Sequence, residues 1–155
     1  MATNSVYMVR PLSNFAIERK LRRLTTKFKG VFDADSLPQR RYAYPWAIIV
    51  NTNTDRIDET GHWTAFVFDI NGQGHYFDSY GDVPPHSSWI SYLKAKSRYR
   101  VWTQSYLEVQ RPNTNTCGYL CIDYVIRRLK NTRISDDRIV AGLNEMKAYR
   151  KYHSG

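Results

Sequence analysis

The sequence predicts an α+β fold, with helices at both ends of the chain and a central, mostly antiparallel sheet between them. Three observations carry this expectation. Residues 14–29 and the stretch from Cys117 onward place apolar side chains at helical spacing. Short β-branched and aromatic runs fill the middle of the chain, among them WAIIVNT, HWTAFVFD and HYFDSYG. Between the last two sits NGQG, a turn signal that pairs them as a hairpin.

In NFAIERKLRRLTTKFK, residues 14–29, Ile17, Leu21, Leu24 and Phe28 share one helical face and basic residues cover the rest. Ser13 or Asn14 is placed to cap its start, and Gly30 ends it. A loop follows through Asp33, Asp35, Pro38 and Pro45. WAIIVNT then reads as a buried strand, too short and too β-branched for a helix. The polar NTDRIDETG is a loop before the hairpin, and Pro84 and Pro85 close the hairpin off. SSWISYLKAKSRY is a short helix and VWTQSYLEV a further strand. From Cys117 a helix buries Ile122, Val125, Ile126 and Leu129. A last helix starts near Ser135 and Asp136 and uses Ile139, Leu143 and Met146. With no internal repeat or low-complexity linker, the 155 residues read as one domain, large enough to bury a core.

No apolar run approaches the length of a membrane span, and MATNSVYMVRPLSNF lacks the pattern of a secretory signal. The expectation is a protein that is neither secreted nor membrane-bound. The only two cysteines, Cys117 and Cys121, lie four residues apart on one helix, where a disulfide is geometrically awkward. Without a Cys/His ligand array, structural zinc is not expected, and a reducing compartment fits. Lys and Arg number 23 against 14 acidic residues, a formal charge of +9. They cluster at residues 19–29, 94–100 and 127–133. Each cluster alone reads equally well as a solvated helix face; together they favour an acidic partner such as nucleic acid.

The run VQRPNTNTCGYLCIDYVIRRL delivers Cys117 to the first turn of an apolar helix. A helix N-terminus favours negative charge, and a thiolate is the reactive form of cysteine. Gly118 would let a substrate backbone approach, and no bulky apolar residue in 111–116 covers the sulfur. Cysteine is equally at home in a core, so packing and nucleophilic roles both stand at this point.

A nucleophilic cysteine needs a base and a group to orient it. His75, His86 and His153 read as surface residues. His62 opens a strand after Gly61 and is followed by Trp63, which could pack over the site. Across the hairpin lies Asp78, brought near His62 by antiparallel pairing. Direct opposition needs a turn centred at residue 70, whereas Asn71-Gly72 centres it later; Asp69 beside the turn is the rival, and Asp78 is preferred. The Cys117 N–H is one candidate oxyanion donor. Gln110 is either a second donor or an exposed strand-end glutamine.

His62-Trp63, Asp78 after a hairpin, Gln110, then Cys117-Gly118 opening a helix resembles the order in the adenovirus protease (adenain) family and the related ubiquitin-like-protein proteases. KGVFDADSLP, AIIVNTNTDRIDETGHW and VQRPNTNTCGYLC are similar to adenain stretches, and the likeness spans roughly residues 28–126. It implies an adenain-like fold and a single catalytic domain. It also implies Cys117 as nucleophile, His62 as base, Asp78 as its orienter, and Gln110 with the Cys117 N–H as oxyanion hole. The family cleaves after small residues, typically glycine, in a narrow cleft that Trp63 would wall. The implied function is a cysteine endopeptidase that matures structural precursors of a DNA virus or virus-like element. The implied location is the virion and the host nucleus or cytoplasm.

Adenain carries an additional cysteine, upstream of its glutamine, that binds a peptide cofactor through a disulfide. SRYRVWTQSYLEV has none, so that form of activation is closed to this chain. The chemistry requires no cofactor; stimulation by DNA or by a non-covalent peptide is compatible with the charge. The chain also ends soon after the last helix, where adenain continues, which looks like a minimal catalytic domain; a monomer is expected. Two other readings stay open. One is an isopeptidase for ubiquitin or its relatives, against which the absence of a large insertion weighs. The other is an inactive nucleic-acid-binding protein on the same fold, which the charge alone supports.

Overall fold

A computed structural model describes residues 5–54 and 61–154. The NTDRIDETG loop falls mostly outside them, since 55–60 are not described. The elements are α1 (Asn14–Leu24), β1 (Phe28–Phe32), β2 (Trp46–Asn51), β3 (Trp63–Phe68), β4 (Gly74–Phe77), α2 (Ser87–Lys96), β5 (Trp102–Gln104), α3 (Cys117–Lys130), α4 (Asp136–Ala141) and α5 (Glu145–Tyr152). A short 3-10 turn, Val6–Met8, precedes them. The class is α+β as expected.

The sheet is mixed rather than mostly antiparallel. Its order is β1-β2-β3-β4-β5; the central pairs β2/β3 and β3/β4 are antiparallel, and both outer pairs are parallel. The sequence expectation missed β1 because Phe28 continues the apolar face of α1. The helix instead stops at Leu24, and Thr25 is extended. Gly30 is therefore not a helix stop. It sits inside β1 at φ +139°, where the register to β2 shifts, a backbone position that disfavours any residue with a Cβ. Ser13 caps α1 by accepting the Ala16 N–H at 3.1 Å.

Every residue of β2, β3 and β4 is buried, which explains continuous apolar runs in place of strict alternation. On one face Ala47, Ile49, Ala65, Val67 and Phe77 pack beneath α1, α3, α4 and α5. On the other face Trp46, Ile48, Phe66 and Phe68 meet Trp89 and Leu93 of α2. Helix α3 runs through the first of these cores. The expected last helix is two: Gly142 ends α4, and Asn144 caps α5 by accepting the Lys147 N–H at 3.0 Å. Among the described residues, no helix is long and apolar enough to cross a membrane.

Two sequence expectations fail through burial. Arg128, counted in a basic cluster, has no exposed surface; it donates to Asn131 O, Ile134 O and, at 2.6 Å, to Asp136. His75, expected at the surface, is buried between Asp69 at 2.8 Å and Asp136 at 3.0 Å. His86 is half-buried and bonds the Thr52 carbonyl, and His153 lies exposed against Tyr149.

Candidate active site

Four separate segments meet at one end of the sheet. His62 immediately precedes β3, Asp78 immediately follows β4, Gln110 lies in the chain after β5, and Cys117 is the first residue of α3. The β3/β4 register pairs Ala65 with Phe77 and Phe68 with Gly74, which centres the hairpin on Asn71. Extended to the strand ends, this register opposes His62 to Tyr80, so Asp78 is the diagonal neighbour of the histidine. That separation is within reach of an imidazole and a carboxylate, and His62 Nε2 lies 3.0 Å from Asp78 Oδ1. Asp69, the rival, is turned away: it takes the Asn71 and Gln73 N–H groups and faces His75.

The backbone around His62 is held from the β2 side. Thr52 Oγ1 accepts the His62 N–H at 3.0 Å and Thr52 N donates to His62 O at 2.9 Å. A Cβ on Gly61 would lie 1.8 Å from Asn51 Oδ1, so a larger residue there would have to displace the Asn51 side chain. Tyr80 stacks on the imidazole with ring centres 5.0 Å apart, and its N–H donates to Asp78 Oδ1 at 2.8 Å. Asp78 therefore holds the ring that carries the proton and the residue that stacks on it.

Burial works to lower the His62 pKa, but hydrogen bonds to Asp78 and Cys117 outweigh it and raise the group to about 10. The imidazole is thus bonded to Asp78 and influenced by the Cys117 thiol, and the environment favours its protonated form. Cys117 is 8% exposed and Cys121 fully buried; both thiols are free. Burial pushes the Cys121 thiol up, and its S–H donates to the Trp63 carbonyl at 3.3 Å. The two cysteines are thereby divided between a polar contact at the helix start and a packing role one turn later.

Gln110 is 2% exposed, so the exposed strand-end reading is overturned. Its Nε2 donates to the Thr114 carbonyl at 3.0 Å, and its Oε1 accepts from the Ser79 hydroxyl. A carbonyl only accepts, so the Thr114 contact fixes which end of the amide is nitrogen. One of the two Nε2 hydrogens is not used by that bond. Ser79 also accepts the Val109 and Gln110 N–H groups through its carbonyl. The dipeptide Asp78-Ser79 thus orients both His62 and Gln110.

Gly118 serves packing: a Cβ there would meet Leu12 at 3.1 Å and Trp63 at 3.4 Å. Trp63 is buried beside the helix start and donates from Nε1 to the Leu12 carbonyl at 3.0 Å. Sequence reasoning missed Ser79, Tyr80, Leu12 and Glu145. Adjacency to Asp78 could have pointed to Ser79 and Tyr80; Leu12 and Glu145 lie outside the stretch that carried the resemblance. No protein-family model matches this chain, and no curated protein sequence does.

Proposed function

We propose that this protein is a cysteine endopeptidase. The observation that carries the reading is the His62 imidazole bonded to the Asp78 carboxylate and shifted by the Cys117 thiol, which opens a helix. Proton transfer from Cys117 to His62 generates a thiolate, and Asp78 stabilises the imidazolium. The sulfur attacks the scissile carbonyl. The Cys117 N–H, which has no acceptor within its own helix, and the second Gln110 Nε2–H receive the oxyanion. His62 then protonates the leaving amine, and the acyl-enzyme is hydrolysed by water that His62 deprotonates.

The substrates we propose are protein sites with glycine before the cut, consistent with the resemblance to the adenain family. The proposed role is maturation of viral or virus-like structural precursors in virion and host cell. The net charge of +9 supports DNA as an additional partner. Stimulation by DNA at low salt, lost steeply as salt rises, is the expected signature.

The decisive experiment is labelling with a Gly-Gly peptide vinyl sulfone of wild type, Cys117→Ala and Cys121→Ala. Labelling should vanish with Cys117→Ala and persist with Cys121→Ala, whose thiol is sealed in the core. Labelling that survives Cys117→Ala would overturn the assignment.

A further inference from the structure

The loop from Gln110 to Thr116 carries Gln110 at one end and delivers Cys117 at the other, and between them Arg111, Pro112, Asn113 and Asn115 are exposed. A cavity of about 470 Å³ borders it, lined by Val109, Gln110, Arg111, Pro112, Glu145 and Met146 among others. Beside the Ser79 bonds to Gln110, one buried carboxylate at the first position of α5 bonds three residues of the loop. Glu145 Oε1 accepts the Arg111 N–H at 2.9 Å; Oε2 accepts the Thr116 hydroxyl at 2.5 Å and, at 2.9 Å, shares the Thr114 hydroxyl proton with the Arg111 carbonyl. Glu145 is 5% exposed, and these three bonds answer the cost of burying its charge.

The Thr116 bond has a second consequence. Thr116 is the N-cap of α3, and a threonine there ordinarily accepts an N–H from the first turn. Here it makes no such bond. Its hydroxyl is directed to Glu145 instead, which leaves the helix N-terminus uncapped and open to negative charge beside Cys117. The Thr114 bond reaches the other donor, because Thr114 O is the acceptor that fixes the Gln110 amide.

We infer that Glu145 is a positioning residue for the oxyanion hole, acting on Gln110 through Thr114 and on the Cys117 N–H through Thr116. This rests on the cysteine-protease reading above. It makes the C-terminal helix α5 part of the catalytic unit although it contributes no group to the chemistry.

The test uses Glu145→Gln, which keeps the shape but loses the charge and turns one acceptor oxygen into an N–H donor. Two rates are compared on the full chain. Hydrolysis of a Gly-Gly peptide amide needs the oxyanion donors; alkylation of Cys117 by iodoacetamide needs only the thiolate. Glu145→Gln should lower kcat by about tenfold or more, with KM and the alkylation rate changed less than about twofold. In a Gln110→Ala background the same substitution should cost less than about threefold, because part of its route is already cut. Equal losses in both rates, or an undiminished cost in the Gln110→Ala background, would make Glu145 a general structural residue and overturn the inference. Unchanged kcat would overturn it as well. Wild type that alkylates but hydrolyses no Gly-Gly substrate would remove the protease reading itself, and this inference with it.

Discussion

Asp78→Asn isolates the electrostatic half of the candidate site. Asparagine keeps an oxygen that can accept the His62 and Tyr80 N–H groups, so geometry is retained while one negative charge is lost. Burial alone would depress His62; the bonds to Asp78 and Cys117 instead carry it from 6.5 to about 10. At 1.36 kcal/mol per pH unit, that is roughly 5 kcal/mol in favour of the imidazolium. Asp78 is first among the favourable contributions, so its removal should lower the His62 pKa by about two pH units. The basic limb of the kcat/KM profile reports this ionisation in the free enzyme. It should stand near pH 10 in wild type and fall by about two pH units in Asp78→Asn.

Stability follows the same proton. A pKa raised on folding contributes stability that is fully present below 6.5 and lost as pH rises through about 10. The stability gap between wild type and Asp78→Asn in urea should therefore be widest below pH 6.5 and shrink towards pH 10. A wild-type His62 that titrates near 6.5 by NMR, or one that Asp78→Asn leaves unmoved, would refute the reasoning.

Gln110→Ala should reduce kcat on the order of a hundredfold while leaving Cys117 alkylation intact, measured by paired hydrolysis and alkylation assays. Gly61→Ala drives a Cβ into the Asn51 amide, which already accepts the Asn53 N–H. It should cost about 1–3 kcal/mol in urea unfolding and lower kcat by displacing the adjacent His62. Asp136→Asn leaves the buried Arg128 and His75 without their shared carboxylate and should destabilise by about 3–5 kcal/mol. Burial opposes the ionised Asp136, but His75, Thr103 and Arg128 hold its pKa down to about 2. A depressed pKa gives stability that is present above 3.8 and lost as pH falls through about 2, so acid titration of wild type and variant should converge there.

The sequence alone determined what local pattern encodes. The helical period of α1 and α3, the apolar runs of β2 to β4 and the NGQG turn were each legible within a dozen or so residues. So was Cys117 at a helix start, because the change from polar loop to apolar helix is written in adjacent residues. His62 and Asp78 were legible as a pair because a hairpin links them. Tertiary structure decided the remainder. It made Thr25 extended and so separated β1 from α1, and it set two parallel pairings at the sheet edges. It buried His75 against Asp136, 61 residues away, and brought Glu145 to Thr116 across 29 residues. It also decided that Gln110 is buried, through a Ser79 hydroxyl 31 residues earlier. Periodicity reports which face of an element is apolar, but a buried polar group is satisfied by whichever donor or acceptor the packed chain brings within 3 Å or so. That partner leaves no mark on the local sequence.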